Sequence, residues 1–151
     1  MPLTNKAVMH IGIKTILATA MNRQEYNDYR GWELPSDEDG SDEGYLVEYV
    51  DGGQSNHLNH KGYISWSPKA VFDASYSASG SMSFSDVLSY TLAGDGLRIA
   101  RKGWNGAGLS VYKLTPTGIE PHLVIRNPNT GKVNTWVPSS ADLIANDWLV
   151  L

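Results

Sequence analysis

Two stretches of the sequence gather side chains suited to holding a small ligand. The first is Leu97–Gly108, LRIARKGWNGAG, where Arg101 and Lys102 precede Trp104 and glycines flank the indole. A flat aromatic surface beside positive charge and accessible backbone N–H groups suits a planar anion such as a nucleotide. The second is Trp136–Trp148, WVPSSADLIANDW, where Pro138, Ser139 and Ser140 lead into one or two helical turns. The free N–H groups at such a helix start can take a phosphate or a hydroxyl-rich ligand. Each feature also has a plainer reading. A tryptophan beside a turn is often a corner of the core, and serines before a helix are often only its cap.

Other chemistries find less support. Cysteine is absent, which removes disulfides and thiolate metal sites and fits a reducing cytoplasm. His57 and His60 lie three apart, but no further ligand at a defined separation stands out, so no metal or cofactor is expected. Hydrolysis of a bound nucleotide would need an activated nucleophile, a metal cluster or an acid–base pair, and His122 is the sole histidine of the second half. The net charge of −4 is uneven: residues 1–80 hold six basic against eleven acidic side chains, or −5, and residues 81–151 six against five, or +1. An acidic chain without a basic tract is poorly suited to a nucleic-acid polymer, whose phosphates call for clustered Lys and Arg. The sequence contains no run of about 18 apolar residues, so no membrane span is expected.

The elements that must carry these residues can be read in chain order. His10–Ala20 has the composition of a strand, and Asn22 with Glu25 forms a capping box for a helix to about Tyr29, closed by Gly31. The acidic run from Asp37 to Glu43 reads as a solvated loop. Gly44–Val50 and Gly62–Trp66 are strands, and Ser67-Pro68 has the form of a cap and first-turn proline for a helix to about Tyr76. Ser75–Ser83 is small and polar, coincides with the charge shift, and marks a boundary. Beyond it, Ser83 and Asp86 open a helix with Phe84, Val87, Leu88 and Leu92 on one face. Leu97–Leu114 then reads as a hairpin turning at Asn105-Gly106, followed by strands at His122–Arg126, Val133–Val137 and, buried at the end, Trp148–Leu151. The expected fold class is α+β: two small units, each a short antiparallel sheet with one or two helices. They span residues 1–76 and 83–151, with 77–82 as linker.

LRIARKGWNGAGLSVY and WVPSSADLIANDW together resemble the phage proteins that counter the Thoeris bacterial defence system, those of the second type, over about residues 81–151. The resemblance implies a non-enzymatic sponge in the cytoplasm of the infected host. It would bind cyclic ADP-ribose isomers such as 1''-3' glyco-cyclic ADP-ribose and keep them from their effector, as a homo-oligomer built as a dimer of dimers. Some members of that family also bind cyclic dinucleotides at a separate site. On this reading Trp104 stacks on the purine. Arg101, Asn105 and the turn formed by Ser139, Ser140 and Asp142 hydrogen-bond phosphate, ribose or the purine edge, and Trp136 is a second aromatic wall. Asp142 is an acceptor for a base amino group or ribose hydroxyl, or else a helix-start charge. MNRQEYNDYRGWELP, GYLVEYVDGG and NHKGYISWSP, in residues 8–76, resemble a second family of short phage proteins of unknown function. The alternatives are a structural or protein-binding phage component, with the acidic loop in contact with a partner, and a cyclic nucleotide hydrolase.

Overall fold

The computed structural model describes residues 9–10, 12–104 and 108–151, so the turn expected at Asn105-Gly106 lies outside the described residues. The chain divides between Pro68 and Lys69 into two compact units. Both are α+β with antiparallel sheets, in agreement with the expected fold class.

The first unit contains β1 (Ile16–Ala20), α1 (Arg23–Arg30), β2 (Gly44–Tyr49) and β3 (Tyr63–Pro68), with strand order β1-β2-β3. Among the described residues of the expected strand His10–Ala20, Ile16–Ala20 alone form a strand. The reason lies in the partner: Ile16 pairs with Tyr49, the last residue of β2, and the chain then turns away at Asp51-Gly52-Gly53. The capping box of α1 is present as expected, with Asn22 Oδ1 accepting from the Glu25 N–H and the Glu25 carboxylate accepting from the Asn22 N–H, both at 2.8 Å. Such a cap stabilises a helix by about 1 kcal/mol. At the other end Gly31 takes the left-handed conformation, φ 69°, and the Trp32 N–H donates to the Asn27 carbonyl at 2.9 Å, folding the chain back along α1. Tyr26, Leu46 and Ile64 form the core, with Met21 and Trp66 packed on it. Pro68 is a correction to the sequence reading. It closes β3, paired with Gly44, and the helix begins one residue later.

The second unit contains α2 (Lys69–Ser75), α3 (Phe84–Leu92), β4 (Ile99–Arg101), β5 (Ser110–Leu114), β6 (His122–Arg126), β7 (Val133–Thr135), α4 (Ser140–Ile144) and β8 (Trp148–Val150). Its sheet runs β7-β6-β5-β4-β8, so the last strand of the chain lies beside the first strand of the sheet. Ile99 pairs with Val111 on one side and Val150 on the other, and Val111 pairs with Ile125. Paired residues share a face, and side chains alternate along a strand. Arg101 and its partner Trp148 therefore lie on the same face as this apolar row. Helix α3 covers that face, and Val87, Ile99, Val111 and Trp148 are fully buried together. Leu92, expected inside, is 48% exposed, and Thr91 is buried instead, its hydroxyl donating to the Leu97 carbonyl at 2.6 Å. The buried stripe therefore steps from Val87 to Thr91, a full i,i+4 interval, and leaves Leu92 on the outer side. On the far side of β8 the backbone N–H groups of Gly80 and Met82 both donate to the Trp148 carbonyl, at 2.9 and 3.2 Å.

Candidate ligand-binding site

The two stretches singled out in the sequence meet in the second unit. Strand β4 carries Arg101 to the end of the sheet, where the backbone turns through Lys102 and Gly103 to Trp104. Helix α4 supplies Asp142. Ser139 caps this helix through its hydroxyl, which accepts from the Asp142 N–H at 3.1 Å, and the Asp142 Oδ2 accepts in return from the Ser139 N–H at 2.9 Å and hydroxyl at 2.8 Å. The other carboxylate oxygen faces β4. It accepts from Arg101 Nη1 at 3.0 Å and from the Trp104 indole N–H at 3.4 Å, a long bond. One buried carboxylate thus closes its own helix cap and fastens the guanidinium and the indole.

Asp147 completes the clamp, since Arg101 Nε donates to its Oδ1 and the Gly103 N–H to its Oδ2, each at 2.8 Å. Sequence reasoning missed Asp147 although it lies in the quoted NDW segment. What makes it a partner of Arg101 is the pairing of β8 with β4, a contact across 46 residues of sequence. Burial pushes the Asp142 carboxyl up, but the hydrogen bonds from the Ser139 backbone, Arg101, the Ser139 hydroxyl and Trp104 outweigh it and hold the group below its ordinary range. For Asp147 the Arg101 hydrogen bond leads and also lowers the value. Both carboxyls are therefore ionised at neutral pH. The guanidinium in turn is pushed further up by Asp147 and then Asp142.

Around this clamp stands a cluster of aromatic rings. Trp104 meets Trp148 edge-to-face with centroids 5.4 Å apart and Trp136 at 6.2 Å, Trp136 meets Trp148 at 6.1 Å, and Phe84 packs on Trp136 and Trp148. Trp148 is fully buried and its indole N–H donates to the Asp142 carbonyl at 3.0 Å. Trp104 and Trp136 are only partly buried. The two readings of Trp104 coincide in one residue, which rests on the core while part of its ring stays open. Ser139 and Ser140 are both exposed at the start of α4, and Asn105 lies outside the described residues. Structure thus brings Arg101, Trp104, Trp136, Ser139 and Asp142 together and adds Phe84, Asp147 and Trp148.

Residues 82–151 match the family model of the Thoeris anti-defense 2-like domain. Residues 82–151 thus form a Thoeris anti-defense 2-like domain, which makes up most of the C-terminal unit. The matched segment begins at Met82, whose N–H and carbonyl bond with Trp148, and contains every residue of the clamp and of the aromatic cluster. No curated protein matches the chain. In this anti-defense domain the ion pairs cancel charge: Arg101 faces Asp142 and Asp147, and Lys102 is exposed beside them. The clamp therefore presents ring surface and directed hydrogen-bond donors rather than a net attractive charge. Of the five guanidinium N–H donors, the two carboxylates engage the Nε–H and one on Nη1, which leaves donors for a further acceptor.

The histidine pair of the first unit takes another course. His60 Nδ1 bonds Glu48 at 2.8 Å and its Nε2 bonds the Tyr29 hydroxyl at 3.0 Å, while His57 stacks on Tyr29 at 4.5 Å. Among the described residues no group of three or more His, Asp or Glu side chains is arranged to hold a metal ion. Among them, too, no helix is long and apolar enough to cross a membrane.

Proposed function

We propose that the anti-defense domain captures a cyclic nucleotide signal of the cyclic ADP-ribose type and holds it unaltered in the cytoplasm of the infected host, so that the signal does not reach its effector. The observation that carries this reading is the shared anchorage of Arg101 and Trp104 on Asp142. A ring face and a planar donor are thereby fixed at a set separation before any ligand arrives, and preorganisation lowers the entropic cost of binding. Trp104 stacks on the purine, with Trp136 as the second wall, and the open donors of Arg101 meet phosphate or ribose oxygens. Both oxygens of Asp142 are already engaged, so it acts by positioning the other two. Exposed Ser140 offers its hydroxyl to the ligand, Ser139 fixes the start of α4 through its cap, and Asn105 is proposed to hydrogen-bond the same ligand.

Binding without turnover fits the chemistry of these groups. Asp142 and Asp147 are tied into ion pairs that keep them ionised, which unsuits them as general acids. His122 bonds the Glu120 carbonyl and sits on β6, two strands from β4. A sponge must also bind tightly, and nanomolar affinity corresponds to about 12 kcal/mol. One indole and a few hydrogen bonds on an open surface fall short of that, so a second copy of the chain is assigned to close the pocket. Val137, Leu143 and Ile144, all exposed around α4, supply the apolar surface for it.

The test is isothermal titration with cyclic ADP-ribose isomers and a panel of cyclic dinucleotides, followed by heating and chromatography of the released ligand. Tight binding with the ligand recovered intact supports the sponge. Recovery of a cleaved product would make it a hydrolase, and no binding across the panel would favour a structural or protein-binding role.

A further inference from the structure

The motif MNRQEYNDYRGW of the first unit plays no part in that site, yet its residues line a cleft of about 570 Å³ between α1 and β3. That volume is in the usual range for small-molecule sites. Two arginines enter the cleft, each laid on an indole: Arg23 over Trp66 at 4.3 Å and Arg30 over Trp32 at 4.2 Å. Their charges differ in fate. Arg23 pairs with Glu38 at 2.8 Å and approaches Asp42 at 3.6 Å. Arg30 has no carboxylate within 4.0 Å among the described residues, and its one hydrogen bond is a long donation to the Tyr26 hydroxyl at 3.4 Å. Its guanidinium is nevertheless held in place, because Gly31 folds Trp32 back beside it and Tyr26 lies beneath at 6.0 Å. A planar fork that is charged, fixed by rings and lacking an acidic partner is suited to a phosphate or carboxylate, which it can bind through two parallel hydrogen bonds.

Trp32 keeps 51% of its surface open and Tyr63, across the cleft, 47%. These rings offer apolar area for a planar group attached to the anion. Glu33 also lines the cleft, and Glu38 is there with its charge already matched to Arg23. With one unmatched cation and one unmatched acid, the cleft accommodates a ligand of low charge and opposes a polyanion. We infer that this cleft binds a nucleoside monophosphate, its phosphate on Arg30 and its base against Trp32, as a second ligand site separate from the anti-defense domain.

Titration calorimetry of the full chain with AMP, ATP and inorganic phosphate tests this. AMP is expected to bind saturably, more tightly than ATP and than phosphate alone. Arg30→Gln should weaken AMP by at least tenfold, and Arg30→Lys, which keeps the charge but loses the fork, by a smaller factor. Should Arg30→Gln disturb the unit in circular dichroism, the wild-type chain gives an independent reading: AMP should shift the indole N–H resonances of Trp32 and Trp66 in NMR spectra. Absence of saturable AMP binding into the millimolar range would overturn the inference. So would equal affinity in a folded Arg30→Gln variant, ATP binding more tightly than AMP, or shifts confined to the indoles of Trp104 and Trp136.

Discussion

Each unit sets an arginine against tryptophan, and the two do so by opposite means. In the anti-defense domain Arg101 is gripped by two carboxylates, Asp142 and Asp147, and the rings surround the clamp. In the first unit Arg30 is steadied by the rings themselves and keeps its charge unmatched. The first arrangement yields rigidity at the cost of net attraction, and so fits a ligand recognised by shape and hydrogen bonds. The second keeps an attractive field that salt screens over a Debye length of about 8–10 Å, and so fits a small anion.

The largest effect expected is that of Trp148→Ala. It removes a fully buried ring under both Trp104 and Trp136, and loses about 3–5 kcal/mol of stability in denaturant unfolding. Preserved stability would mean that the rings do not form one core with the clamp. Asp142→Asn comes next. It keeps the shape but loses the charge that holds Arg101, with an expected loss of about 2 kcal/mol in the same assay. Ligand affinity should fall with it, because Asp142 anchors both Arg101 and Trp104.

Acid gives a third way to loosen the clamp. The folded-state values of Asp142 and Asp147 are lowered below the unfolded value of about 3.9, so the unfolded chain takes up protons first. Their contribution is therefore complete above that pH and is lost as pH falls through the lower folded values. Thermal melting between neutral pH and about pH 3 should show the decline, and Asp142→Asn should flatten it. The smallest effect is in the first unit. Gly31→Ala places a side chain at φ 69°, which costs about 1–2 kcal/mol and displaces Trp32 from Arg30. Its readout is the melting curve together with AMP affinity, which should drop while binding to the anti-defense domain holds.

What was legible in the sequence was local. Asn22 with Glu25, Ser83 with Asp86, and Ser139 with Asp142 are caps made across three residues, and all three form capping boxes in the structure. Strands came through where alternation and turn residues agree, as at His122–Arg126. The partner of Arg101 did not, because Asp147 reaches it only once the final strand is placed beside β4, and nothing in local spacing states that pairing. Leu92 was misplaced for a related reason: Thr91 passes as polar in a pattern, yet its hydroxyl is satisfied by the Leu97 carbonyl and can be buried. The cleft of the first unit was hidden as well. Its arginines are ordinary helix-surface residues until Gly31 and β3 bring Trp32 and Trp66 beside them.

The most direct measurement is the affinity of Trp104→Ala for a cyclic ADP-ribose isomer, by titration calorimetry, with folding verified by circular dichroism. Base stacking of about 1–3 kcal/mol on an indole predicts a loss of tenfold or more in a folded protein. Unchanged affinity in the folded variant would return Trp104 to the core alone and contradict the site.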